Sequence, residues 1–166
     1  REAGVSTSVI KRLAEEGVLS QTSQPRAERT GLTSISDYDL TTPYKLTSTQ
    51  QSIADNIDSL SNCFGVHLID GITGSGKTEV YFDQVIKQLN CGRQVLILLP
   101  EIALTSSWKA RFEKWFGQEP SIWHSSVSSA RRKLIWRQAI SGQPMVVAGA
   151  RSALFLPFSQ LSLIVI

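Results

Sequence analysis

The chain has 166 residues, 42% hydrophobic and 19% charged, with four tryptophans. That balance excludes a disordered tail and suffices for one sizeable core plus a fragment of a second domain. Two cysteines, Cys63 and Cys91, exclude a disulfide framework and a CxxC-type zinc site. No secretory signal heads the sequence, and the apolar runs at residues 95–99 and 161–166 are far shorter than a membrane span, so a cytoplasmic protein without a membrane partner is expected.

The net charge of +3 is unevenly spread. Residues 1–45 carry six basic and six acidic side chains, whereas residues 109–151 carry eight basic side chains against Glu113 and Glu119, an excess of six. That stretch either attracts a polyanion or forms solvated helix faces.

In chain order, Val5, Val9 and Leu13 recur every four residues, Ser6 or Thr7 can cap the start, and Gly17 suits the stop before Val18 and Leu19 resume extended structure. An amphipathic helix followed by a strand is compatible with the end of a winged-helix module and equally with a helical connector. Residues 21–45, rich in Ser, Thr, Pro and mixed charge, read as a linker. From residue 46 a regular alternation begins. Helices are expected at 50–60, 77–89, around the Trp108, Phe112 and Trp115 stripe up to Gly117, and at 129–140; strands are expected at 65–70, 94–100, 121–124, 145–148 and in the closing LSLIVI. Short continuous apolar strands alternating with helices predict an α/β domain with a parallel sheet covered on both faces, and ligands in such sheets bind at the carboxyl ends of the strands.

GITGSGKTEVY, from Gly71, carries the densest chemistry. Gly71, Gly76, Lys77 and Thr78 match G-x-x-x-x-G-K-[ST] between an expected strand and an expected helix. The backbone from Gly71 through Ile72, Thr73, Gly74 and Ser75 to Gly76 would cradle phosphates. Lys77 would reach the β- and γ-phosphates, and the Thr78 hydroxyl would hold Mg²⁺ with ATP. No N-K-x-D and no L-S-G-G-Q appears, which removes the simplest support for a GTPase or a transporter and leaves a small-molecule kinase open. Trp108 and Trp115 share a stripe with Phe112 and read as core rather than as base-stacking platforms; His67 and His124 read as ordinary hydrogen-bonded histidines.

Four further stretches decide among these. LTSTQ at 46–50 resembles the adenine-reading Q-type motif of superfamily 2 helicases, with Gln50 as base reader. PEIALT at 100–105, His124-Ser125 and GARSALF at 149–155 each follow an expected strand. With the phosphate loop, this ordered series resembles the first motor lobe of the primosomal protein N′ family of replication-restart DNA helicases, over residues 46–166. The resemblance implies a RecA-like P-loop lobe of an ATP-dependent 3′–5′ DNA helicase acting in primosome assembly at stalled forks. It raises the winged-helix reading of residues 1–20 and implies forked and single-stranded DNA, other primosomal proteins and single-stranded DNA-binding protein as partners. It further implies that Thr105, Ser125, Arg151 and Ser152 face single-stranded DNA; independently, loops after parallel strands share one sheet edge, and arginine and hydroxyl groups there suit phosphates.

In this family the last strand leads into an Asp-Glu-Glu-His box, which on the resemblance begins just past Ile166, and a second lobe and a cysteine-rich zinc region follow. The 166 residues are therefore expected to hold ATP and hydrolyse it negligibly, and a non-catalytic nucleotide- or DNA-binding fragment, or another P-loop ATPase or kinase, stands as the alternative.

Overall fold

The computed structural model describes residues 7–18, 38, 40–41, 44–59, 64–100 and 105–166, which fall into two compact units divided between Thr30 and Gly31. In the first unit, helix α1 spans Thr7–Glu15 and ends where Gly17, at φ 75°, accepts the left-handed turn a side chain would resist. The amide of Val18 bonds back to the Leu13 carbonyl at 3.0 Å, and Arg12 pairs with Glu16 one turn on at 2.9 Å. Val18 lies in a bend and Leu19 lies outside the described residues, as does most of the expected linker.

The second unit contains α2 (Ser48–Ser59), α3 (Lys77–Asn90), β1 (Gln94–Leu98), α4 (Ser106–Phe116), β2 (Ser121–Trp123), α5 (Ser129–Ser141), β3 (Met145–Gly149), a 3₁₀ turn (Arg151–Phe155) and β4 (Leu161–Val165). All strand pairs are parallel, in the order β2-β3-β1-β4. The expected α/β architecture is therefore present, and its core follows from the two-residue period of the strands. Val95, Ile97, Val146 and Ala148 point to one face, where α3 and α4 supply Phe82, Val85, Leu89, Phe112, Trp115 and Phe116. Leu96, Leu98, Met145 and Val147 point to the other, where Ile135 and Ala139 of α5 meet Ala153 and Leu156. Phe82 is the hub of the first cluster, its ring lying 4.9–6.2 Å from those of Tyr81, Trp108, Phe112, Trp115 and Phe116. Removing it would open a cavity costing about 3–5 kcal/mol. Trp115 is buried and Trp108 packs against this cluster, as their shared stripe with Phe112 predicts.

Two findings differ from the sequence reading. Residues expected as linker contribute to the second unit: Tyr38 is buried, its hydroxyl accepts from the Val146 amide at 3.1 Å, and the Tyr44 ring tilts against Trp115 at 5.6 Å. Residues 65–70, expected as a strand, form no ladder. Val66 and Leu68 are 86% and 91% exposed, and the segment runs beside α2, where residues 66–69 and Ser52, Ile53, Asn56 and Ile57 line a groove. An apolar run has the composition of a buried parallel strand, but it becomes one only with a neighbour to bond. Here β4 is the terminal strand and is itself only partly covered, with Leu161 and Ile164 37% and 43% exposed.

Candidate nucleotide site and adjoining strand-end loops

The phosphate loop follows the extended residues 64–70. The Ser75 amide donates to the Ile72 carbonyl at 3.2 Å, closing a turn, and Gly74 and Gly76 take φ values of 84° and 86°. Gly76 is also the N-cap of α3, with no side chain capping the helix. The first-turn amides of α3 thus lack a side-chain cap, the arrangement that attracts an anion to a helix N-terminus. Lys77 curls back, its Nζ donating to the carbonyls of Gly71 at 2.5 Å and Ile72 at 2.9 Å. The ammonium is therefore held on the loop by exposed, exchangeable partners.

Gln50 is brought to this loop through a local device. The Gln50 amide donates to Thr47 Oγ1 at 3.3 Å and the Thr47 amide donates to Gln50 Oε1 at 2.9 Å, a capping box that starts α2. Its Nε2 donates at 3.4 Å to the carbonyls of both Ser75 and Gly76. A Cβ on Gly76 would stand 2.0 Å from that nitrogen and would displace the Gln50 amide, and the positive φ itself calls for glycine. Both hydrogens of the Gln50 side-chain amide are engaged, so donating to a base requires the bond to Ser75 or Gly76 to open.

The loops after β1, β2 and β3 emerge at one edge of the sheet and are tied laterally. The Leu99 amide donates to the Gly149 carbonyl at 3.0 Å, and the Ala150 amide donates to the Trp123 carbonyl at 3.3 Å. The sequence-predicted contacts hang from these ties. Thr105 is the exposed N-cap of α4 and accepts from the Trp108 amide at 3.3 Å. Ser125 follows β2 and is exposed, and Arg151 and Ser152 open the 3₁₀ turn after β3, both exposed. Arg151 makes no ion pair among the described residues, so its charge is available to a ligand. Residues 101–104 of the PEIALT stretch lie outside the described residues.

Not every residue of the basic excess is available in this way. Arg111 pairs with Glu79 at 3.3 Å, and Lys114 sits over the Tyr44 ring at 5.0 Å. Arg132 turns inward, its Nη2 donating to the carbonyls of His124 at 3.1 Å and Ser125 at 2.6 Å while its guanidinium lies 5.7 Å from the Trp123 ring. It thus holds the loop that carries Ser125. His124 Nδ1 meets Ser126 Oγ at 2.7 Å, an ordinary hydrogen-bonded histidine, and among the described residues no cluster of three possible metal ligands exists.

Sequence reasoning missed two residues next to the site. The Trp108 Nε1 donates to the Tyr81 hydroxyl at 2.9 Å. Burial pushes the Tyr81 pKa above its ordinary value of 10.0, against the opposing pull of the polar neighbours Trp108 and Thr78. The i, i+3 spacing of Thr78 and Tyr81 was the available signal that they share a helix face. Nothing in the sequence identified Trp108 as the partner of Tyr81.

The DEAD/DEAH box helicase family model matches residues 47–166. The chain is also similar to proteins named "Replication restart protein PriA". With that of Rickettsia felis it is 56% identical over 99 residues, 60% of this chain and 15% of the relative. With that of Haemophilus influenzae it is 43% identical over 117 residues, 70% of this chain and 16% of the relative. With that of Bacillus subtilis it is 32% identical over 175 residues, spanning all of this chain and 21% of the relative. The chain thus spans 15 to 21% of the length of these three relatives.

Proposed function

This chain belongs to the DEAD/DEAH box helicase family, and from that premise we propose that it forms the ATP-binding lobe of a cytoplasmic ATP-dependent 3′–5′ DNA helicase that restarts stalled replication forks. The observation that carries the reading is the conjunction of an uncapped α3 N-terminus bearing Lys77 and Thr78 with three strand-end loops tied along one sheet edge. One element suits a nucleoside triphosphate; the other suits an extended polyanion.

The amides of residues 71–76 and the α3 N-terminus take the phosphates, with electrostatics rather than shape supplying most of the attraction. Lys77 exchanges the neutral carbonyl acceptors of Gly71 and Ile72 for anionic β- and γ-phosphate oxygens, a trade that adds ion pairing and favours the bound state. The Thr78 hydroxyl would hold Mg²⁺, whose charge would offset that of the phosphates. Gln50 reads the adenine edge once a bond to Ser75 or Gly76 opens, so base recognition and loop conformation are linked. Thr105, Ser125, Arg151 and Ser152 take the phosphates of a single strand, contacts that position it without choosing its sequence.

The replication-restart role rests on the similarity to proteins named for replication restart, and the 3′–5′ direction belongs to the resemblance of residues 46–166 to the replication-restart helicases. Forked DNA, other primosomal proteins, single-stranded DNA-binding protein and a zinc-binding region belong to the same reading of the full-length protein, as does the assignment of residues 1–20 to the end of a winged-helix domain. An unwinding assay with the full-length protein on tailed duplexes tests it. ATP-dependent unwinding that requires a 3′ single-stranded tail and disappears in Lys77→Ala is expected; unwinding only from a 5′ tail, or none with either tail, would overturn it.

A further inference from the structure

The turn that follows β3 has three sides, and the sequence from Arg151 to Pro157 gives each a different character. A 3₁₀ helix repeats every three residues, so side chains at i and i+3 lie above one another. Ala153 and Leu156 take the inward column, both buried beside Met145 and Val147. The Ala153 amide donates to the Ala150 carbonyl at 2.9 Å and the Leu156 amide to the Ala153 carbonyl at 3.2 Å, which fastens the turn to the end of the strand. Arg151 and Leu154 form a second column and Ser152 and Phe155 a third, and all four are exposed. Pro157 stops the turn there. A residue before proline is held in the extended region, and Leu156 takes φ −70° and ψ 140°.

Phe155 is 82% exposed and Leu154 49%. A single exposed apolar side chain is ordinary, but these two are set apart by what precedes each on its own side of the turn. Ser152 lies one turn before Phe155 and Arg151 one turn before Leu154, and Arg151 and Ser152 are the proposed phosphate contacts. Three residues of 3₁₀ helix rise about 6 Å, a separation that the phosphate and the base of one nucleotide can bridge. The Phe155 ring offers a π-face on which any of the four bases can stack, whereas Leu154 offers apolar contact alone. The ring is also positioned in advance: buried Ala153 and Leu156 anchor the backbone on either side of it, so little order has to be imposed when a ligand arrives.

We infer that Phe155 is a base-stacking residue, its ring taking a nucleobase of the single strand whose phosphates Arg151 and Ser152 hold. The sheet edge then makes two kinds of contact, an electrostatic one that grips the backbone and an apolar one that requires the bases. Neither selects a sequence, because every nucleotide carries the same phosphate and every base has a π-face. The inference rests on the DNA reading above, and its test separates the two, since phosphate contact and stacking respond to different changes in the ligand.

The test compares two fluorescently labelled strands of equal length and charge, a thymidine oligonucleotide and an abasic one. Their affinities for wild type, Phe155→Ala, Phe155→Trp and Arg151→Ala of this chain are measured by anisotropy titration over a range of salt. Phe155→Ala is expected to weaken the thymidine strand by about five- to 150-fold while leaving the abasic strand and the salt dependence unchanged, and Phe155→Trp is expected to restore the thymidine strand. Arg151→Ala should weaken both strands alike and reduce the salt slope by about one. Equal weakening of both strands by Phe155→Ala would make the residue a support for the turn and overturn the inference. Unchanged binding of both strands would overturn it as well and turn attention to a protein partner for the exposed ring. In either case weakened binding in Arg151→Ala leaves the proposed DNA edge standing. A folded wild-type chain that binds neither strand would sink the DNA reading and this inference with it.

Discussion

Replacing Gly149 with alanine adds a single methyl group where β3 pairs closely with Trp123 of β2, at the sheet edge carrying the proposed DNA contacts. The new Cβ would stand 2.3 Å from the Trp123 carbonyl oxygen and 3.1 Å from its carbon. The obstacle is backbone, so no side-chain rotation relieves it; β2 and β3 must move apart. Overpacking of this kind costs about 1–3 kcal/mol. Separation also breaks the bond from the Ala150 amide to that same carbonyl, worth roughly 0.5–1.5 kcal/mol. Against these stands the gain from stiffening the unfolded chain, about 0.4–1 kcal/mol, leaving a net loss of roughly 0.5–4 kcal/mol. For a chain of this size each kcal/mol lowers the melting temperature by about 2–4 °C, so a fall of roughly 1–16 °C is expected in calorimetry. Because the same tie aligns the loops bearing Ser125 and Arg151, affinity for single-stranded DNA should fall with it even well below the transition. A Gly149→Ala chain with wild-type melting temperature and wild-type DNA affinity would refute the steric reasoning.

Three other outcomes follow from named contacts. Gln94 is fully buried, donating to the carbonyls of Gln138, Ala139 and Gln143 at 3.0–3.3 Å and accepting from the Gln160 amide at 2.9 Å. Gln94→Leu should strand these groups and cost roughly 2–4 kcal/mol in urea unfolding, without changing nucleotide affinity, since the site lies at the opposite edge of the sheet. Gln50→Ala should cost about 1 kcal/mol through loss of the capping box and should narrow any preference for ATP over GTP, measured by competition binding. Lys87 on α3 bridges to Asp58 of α2 at 2.5 Å and to Asp83 at 2.7 Å. Burial lowers its pKa, but the hydrogen bonds to the two carboxylates outweigh it and the net direction is up from 10.5. A raised folded value means this contribution is intact below about pH 10.5 and lost as pH rises through the folded value. Tyr81, also raised, acts in the same direction above pH 10.0. The urea midpoint should therefore fall across this alkaline range, and Lys87→Met should flatten part of that fall.

Much of the second unit was legible because its strands and helices announce themselves with different periods. Val95, Ile97, Val146 and Ala148 alternate with Leu96, Leu98, Met145 and Val147, which sends the apolar residues of β1 and β3 into two cores. The glycines at 117 and 142, both with positive φ, mark the ends of α4 and α5. Residues 65–70 were misread because strand composition describes a side-chain environment and not a hydrogen-bonding partner. At the candidate site the P-loop motif predicted the turn and the lysine, and it left hidden what each side chain bonds. Gln50 bonds the loop as well as capping α2, Arg132 serves the Ser125 loop in place of open solvent, and Tyr81 meets Trp108 across a sequence gap of 27 residues. These pairings depend on how α3, α4 and α5 pack on the sheet, which local pattern does not encode.

Nucleotide binding at the phosphate loop is tested most directly by equilibrium titration of the chain with a fluorescent ATP analogue. Saturable binding that requires Mg²⁺, is competed by ATP and is lost in Lys77→Ala is predicted. Binding unchanged by Lys77→Ala, or absent from a folded wild-type chain, would contradict it.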